Sequence, residues 1–157
     1  MKTRHFSLDL ASAQDTADFA RALAPILVAG DVVLLDGAVG AGKTHLARCL
    51  IQSIQTPPED VPSPTFTLVQ TYDTRQGWVW HADLYRLSNV HEIEELGLAD
   101  AFSDAICLIE WPDRLGELTP VDALFIDLKQ CVDENSRQLH ARWSAAKWDE
   151  RLTRWTR

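Results

Sequence analysis

Three glycines, a lysine and a threonine stand in the run Gly37-Ala38-Val39-Gly40-Ala41-Gly42-Lys43-Thr44, and the spacing has a chemical meaning. Glycine admits backbone conformations closed to other residues, so Gly37, Gly40 and Gly42 let successive N–H groups turn toward one anionic centre that side chains would otherwise screen. Lys43 then reaches the β and γ phosphates of a nucleoside triphosphate, and the Thr44 hydroxyl is placed to ligate Mg²⁺. A helix starting there adds unpaired N–H groups with partial positive charge. The run follows the apolar VVLLD and opens an amphipathic stretch, the strand–loop–helix context that a phosphate loop requires. The plainer alternative, a glycine-rich turn before a helix, leaves Lys43-Thr44 in register unexplained. Residues 37–44 are therefore expected to cradle phosphate, with Ala38, Val39 and Ala41 contributing backbone.

Other residues could complete such a site. Glu110 ends the apolar run ICLIE, so its carboxylate would emerge at the carboxyl edge of a sheet, where it suits a second Mg²⁺ ligand or an ordinary ion pair. In WVWHADLY, alternation puts His81 and Asp83 on one face, opposite Trp78 and Trp80. That face could orient an attacking water and support the metal, or it could be a solvated strand face. Thr65 in SPTF offers a hydroxyl that could sense the γ-phosphate, or a turn hydrogen bond. The tail carries Trp148, Leu152 and Trp155 at helical spacing with Lys147, Arg151, Arg154 and Arg157. It reads as a terminal helix docked on the sheet or as a basic face for RNA or an acidic partner.

The elements that must hold these residues follow from hydrophobic period. HFSLDL is a first strand, and Ser12 and Asp15 open a helix carrying Phe19, Ala20 and Leu23. VVLLD is a strand buried on both faces, and the helix from Lys43 turns Leu46, Ala47, Leu50 and Ile51 inward. QTPPEDVPSP is a loop. From Thr65, TFTLVQTY places Phe66, Leu68, Gln70 and Tyr72 on one face of a strand paired antiparallel with WVWHADLY. One short acidic helix follows Asn89, with Ile93 and Leu96 inward. ICLIE, ALFIDL and RQLHARWSA are further strands, and a last amphipathic helix runs from about Ala145 to the end.

The 157 residues, 46% hydrophobic and 24% charged, fit one α/β domain with a mixed, mainly parallel sheet flanked by helices. No stretch is long and apolar enough to span a bilayer, and aspartates interrupt the segment where a signal peptide would need an apolar core. Cys49, Cys107 and Cys131 are widely spaced in apolar contexts, as expected of buried free thiols in the cytoplasm. A net charge of −8 argues against affinity for a duplex gained by neutralising phosphates.

In order and spacing, GAVGAGKT, VPSPTFTLVQTY, HADLYRL, IEELGL and IEWPDRL resemble the bacterial TsaE (YjeE) family over roughly residues 5–130. The resemblance implies ATP at the glycine loop and Mg²⁺ held by Thr44 and Glu110. It further implies a switch-like segment around Thr65, Asp83 in support of hydrolysis, and Trp111 beside the site. Such a protein hydrolyses ATP slowly alone, as a monomer. It joins TsaB and TsaD, with TsaD transferring threonylcarbamoyl to adenosine of tRNAs that read A-starting codons, and ATP turnover resets that complex. Contact with tRNA is then only indirect. Two positions depart from the family pattern: Ala38 stands where an acidic residue is common and His45 where a hydroxyl residue is. The chain after about Cys131 carries no signature of the family. Two rival readings are a small-metabolite kinase, although no arginine-rich lid is visible, and a nonhydrolysing nucleotide-gated binding module. ATP is favoured over GTP by the lack of an aspartate-bearing guanine-reading motif.

Overall fold

The computed structural model describes residues 2–156. Its seven-stranded sheet has the order β1-β7-β6-β2-β5-β4-β3, with β1 (Arg4–Leu10), β2 (Val32–Asp36), β3 (Val69–Thr74), β4 (Gly77–Asp83), β5 (Ile106–Glu110), β6 (Leu124–Gln130) and β7 (Arg137–Trp143). Central β6, β2, β5 and β4 are mutually parallel. Antiparallel ladders attach β3 at one edge and β7 then β1 at the other, so five of the seven strands run one way. This is the mixed, mainly parallel sheet expected from the sequence.

The innermost strands β2 and β5 are apolar without alternation because both faces are covered. Val33 and Leu35 of β2 and Ile106 and Leu108 of β5 join a core with α1 (Ala13–Leu23) and α2 (Lys43–Ser53), through Phe19, Leu23, Leu46 and Leu50. On the opposite face Val32, Leu34, Cys107 and Ile109 pack with α3 (Val90–Glu95) and α4 (Leu98–Asp104), through Ile93 and Leu98. Side-chain caps start two of these helices: Ser12 Oγ accepts from the Asp15 N–H, and Asn89 Oδ1 accepts from the Glu92 N–H.

Several expectations need correction. The strand expected from Thr65 begins only at Val69. Residues 65–68 form a turn closed by the Leu68 N–H donating to the Pro64 carbonyl at 2.7 Å, and Phe66 is exposed instead of sharing a buried face with Tyr72. The single acidic helix is two, because Gly97 takes a left-handed conformation (φ 81°) between α3 and α4. The C-terminal helix is also interrupted, into α5 (Lys147–Arg151) and α6 (Thr153–Thr156), with Leu152 off helical geometry between them. Arg157 lies outside the described residues. The tail docks: Trp148 and Leu152 are fully buried, and Lys147 and Arg151 turn inward onto Asp31. Of the three thiols only Cys107 is buried, while Cys49 is half-buried and Cys131 exposed near the β6–β7 turn. No helix among the described residues is long and apolar enough to cross a membrane.

Candidate functional site

The glycine loop joins the carboxyl end of β2 to α2. Gly37, Gly40 and Gly42 all have positive φ, at 145°, 83° and 105°. At Gly37 a Cβ would lie 2.6 Å from the Leu128 carbonyl oxygen, so only glycine lets the loop pass this close to β6. Gly42 is the residue before α2, and no side chain caps that helix, which leaves its first N–H groups free for an anion.

Lys43 is buried, yet among the described residues no carboxylate lies within ion-pair distance of it. Its Nζ donates to the Gly37 carbonyl at 2.6 Å and sits 3.5 Å above the centroid of the Trp111 ring. Burial pushes the Lys43 pKa below the ordinary lysine value, opposed by the charges of Glu110 and Asp36. Trp111 takes a left-handed conformation (φ 58°) immediately after β5, with its ring 4.8 Å from that of Tyr85. Leu68, at φ 70°, is the other non-glycine residue of this kind among the described residues, and it ends the SPTF turn. Backbone strain of this sort tends to gather at functional sites.

Strand alternation assembles the acidic half of the site. Val79, His81 and Asp83 of β4, and Ile106, Leu108 and Glu110 of β5, face α2; parallel register sets Asp83 beside Glu110. The Thr44 hydroxyl reaches Glu110 Oε1 at 2.8 Å and Oε2 at 3.0 Å, and His81 Nε2 lies 2.7 Å from Oε2. His81 is fully buried and among the described residues its Nδ1 has no partner, which fits the tautomer whose Nε2–H donates to Glu110. Asp83 is also buried; its Oδ2 accepts from Thr65 Oγ1 at 3.2 Å and its Oδ1 from the Tyr85 N–H at 3.0 Å. Thr65 Oγ1 in turn lies 2.8 Å from Ser63 Oγ. The reading of this strand face as solvated is thereby corrected.

A cleft of about 390 Å³ unites Val39, Gly40, Gly42, Lys43, Thr44, Thr65, Asp83, Glu110 and Trp111 from the sequence reading, and adds His45 and Tyr85. Gly37 and Ala38 do not line it; they line an adjoining cavity of about 600 Å³ with Trp111 and Lys129. Ala41 is buried beneath the loop. The hard oxygen donors of Thr44 and Glu110 suit Mg²⁺, which takes one or two carboxylates and leaves its other positions to phosphate and water. Sequence reasoning paired His81 with Asp83 but not with Glu110, a contact that depends on the β4–β5 register.

Comparison with known proteins identifies the family and the fold. The TsaE family, described as threonylcarbamoyl adenosine biosynthesis protein TsaE, matches residues 10–139. The chain is 40% identical over 125 residues to the tRNA threonylcarbamoyladenosine biosynthesis protein TsaE of Rickettsia bellii, covering 80% of this chain and 87% of the relative. To the protein of the same name from Haemophilus influenzae it is 37% identical over 117 residues, covering 74% and 73%. The crystal structure of Bacillus subtilis YdiB superposes with a TM-score of 0.80 over 99% of this chain and 97% of that one, at 22% identity, a likeness of fold.

Proposed function

The chain belongs to the TsaE family, and on that premise we propose that it is a Mg²⁺-dependent ATPase serving threonylcarbamoylation of adenosine in tRNA. It acts in the cytoplasm as one phosphate-loop domain, monomeric alone, meeting tRNA only through a complex with TsaB and TsaD that its ATP turnover resets. The observation that carries the chemical half of this reading is the Thr44–Glu110 contact at 2.8 Å beside the glycine loop, with buried Asp83 next to Glu110 in register.

The geometry supports the following roles. Backbone N–H groups of the glycine loop and of the first turn of α2 hold the phosphates, those of Gly37 and Ala41 excepted, since they donate to Asp36 Oδ1 and the Ala38 carbonyl. Lys43 exchanges the Gly37 carbonyl for phosphate oxygen, adding a charge-assisted contact without first breaking an ion pair. Thr44 and Glu110 would hold the Mg²⁺, and the hydrogen bond to His81 restrains rotation of the Glu110 carboxylate. Bound there, the cation supplies charge neutralisation on the phosphate oxygens. Asp83, already an acceptor toward Thr65, orients the attacking water and receives its proton. Thr65 connects Asp83 to the SPTF turn, so the segment can respond to the γ-phosphate. Trp111 covers Lys43.

Single-turnover hydrolysis tests the reading. Wild type is expected to release phosphate with Mg²⁺ and faster with TsaB and TsaD present, whereas Asp83→Ala binds ATP without releasing phosphate. Bound ATP that wild type never hydrolyses would reduce the protein to a nucleotide-gated binding module. A pull-down with the TsaB–TsaD pair, with and without ATP, tests the partner assignment; no capture in either condition would remove it.

A further inference from the structure

Part of the glycine loop is held from outside the site, by the β6–β7 hairpin. The Gly40 carbonyl accepts from Gln130 Nε2 at 2.9 Å and from Arg137 Nη2 at 3.2 Å, and the Ala41 carbonyl accepts from Arg137 Nε at 3.0 Å. The other limb of the same guanidinium, Nη1, donates to the carbonyls of Glu134 at 2.5 Å and Ser136 at 2.9 Å in the hairpin turn. One planar fork therefore joins two carbonyls of the loop to two of the hairpin, a geometry that lysine, with a single ammonium, has no means of reproducing. In a trans peptide the N–H points opposite to the C=O. Fixing the Ala41 carbonyl on Arg137 thus aims the Gly42 N–H the other way, and Gly42 lines the cleft.

We propose that Arg137, supported by Gln130, is a positioning residue that pre-sets the glycine loop for phosphate, so that nucleotide affinity is governed in part from the β6–β7 hairpin. The proposal rests on the nucleotide-binding reading given above. It concerns affinity more than the chemical step, because the contacts touch loop carbonyls and none of Asp83, Glu110 or Thr44.

The test uses the full chain with Arg137→Lys, which keeps the charge and loses the fork, and Gln130→Ala, which removes one contact. Two readouts are taken: ADP binding by calorimetry, and amide hydrogen exchange of the nucleotide-free chain at residues 40–42. Arg137→Lys is expected to bind ADP roughly tenfold more weakly, as loss of a charge-assisted hydrogen bond to the loop implies. It should also exchange faster at residues 40–42 while its hydrolysis rate at saturating ATP stays within about twofold of wild type, the pattern of a uniform binding loss. Gln130→Ala shifts both readouts the same way by less. Unchanged affinity, or unchanged exchange at residues 40–42, in Arg137→Lys overturns the proposal; a lowered melting temperature with wild-type affinity does the same, since that marks a merely structural staple. Should Arg137→Lys fail to fold, Gln130→Ala decides alone on the same two readouts. Wild type that does not bind ADP at all defeats the nucleotide reading, whereas the exchange experiment still reports whether the fork holds the loop.

Discussion

The two ends of β2 both bury charge, in opposite ways. At its start Asp31 is 1% exposed and fully answered: it accepts from the Val28 N–H at 2.8 Å, Lys147 Nζ at 3.0 Å and Arg151 Nη1 at 2.8 Å. At its other end Lys43, Glu110 and Asp83 are 5%, 2% and 5% exposed. Their partners there are a carbonyl and an indole ring for Lys43, a hydroxyl and an imidazole for Glu110, and a hydroxyl and an amide for Asp83. A closed ion cluster has nothing to offer a ligand and pins α5 to the start of β2. Side chains held by a carbonyl, hydroxyls, an amide and aromatic rings keep their orientation without being tied into a closed ion cluster, which is what a polyphosphate and its cation need. Burial alone does not distinguish a site from a staple; the identity of the partners does.

The largest expected effect belongs to the open end. Asp83→Asn should lower the hydrolysis rate on the order of 10²–10⁴-fold, the usual contribution of a positioned proton acceptor, with the unfolding midpoint near that of wild type. A midpoint that falls together with activity would place Asp83 among the structural acids. Lys43→Ala should weaken ATP binding by about 1.5–3 kcal/mol, the range for hydrogen bonds to charged groups, with little change in stability, because no ion pair is broken and the lost Gly37 and Trp111 contacts are offset by relief of the buried ammonium's desolvation; wild-type affinity in calorimetry would argue against the loop. At the closed end the signs reverse. Asp31→Asn should destabilise the fold by about 1–3 kcal/mol in denaturant titration, less than for a fully buried pair because Lys147 and Arg151 remain 30% and 28% exposed. Its ATP affinity should stay at the wild-type value; a loss of affinity instead would couple the two ends and end the contrast. The smallest effect is on thiol chemistry: Cys131 should react with a thiol reagent in the folded chain, whereas Cys107, whose pKa burial pushes up to about 12, should react only on unfolding. Equal rates at the two would show the β2–β5 core to be open.

What could be read from the sequence was whatever local backbone chemistry decides. Residues 37–44 specify their own conformation through three glycines and a helix start, and β2 and β5 declare themselves by unbroken apolar runs. Glu110 at a strand end pointed to the carboxyl edge of the sheet. The His81–Glu110 contact was hidden because it depends on which strands are neighbours and in what register, and so was the reach of Arg137 from β7 to Gly40. The SPTF segment misled for a different reason. Phe66, Leu68, Gln70 and Tyr72 alternate as a strand would, but a left-handed Leu68 turns the chain, and leucine gives no sign of that conformation. Gly97 did give a sign, an isolated glycine inside a helical pattern, and it marks the break between α3 and α4.

The most direct measurement is a crystal structure of the chain with a nonhydrolysable ATP analogue and Mn²⁺ in place of Mg²⁺, with the metal located by anomalous scattering. The expected map has the triphosphate on the loop of residues 37–44, Lys43 moved off the Gly37 carbonyl onto phosphate, and the metal peak beside Thr44 and Glu110. A metal peak on other carboxylates, such as Asp36 and Asp127, or a triphosphate outside this loop with Lys43 still on Gly37, would contradict it.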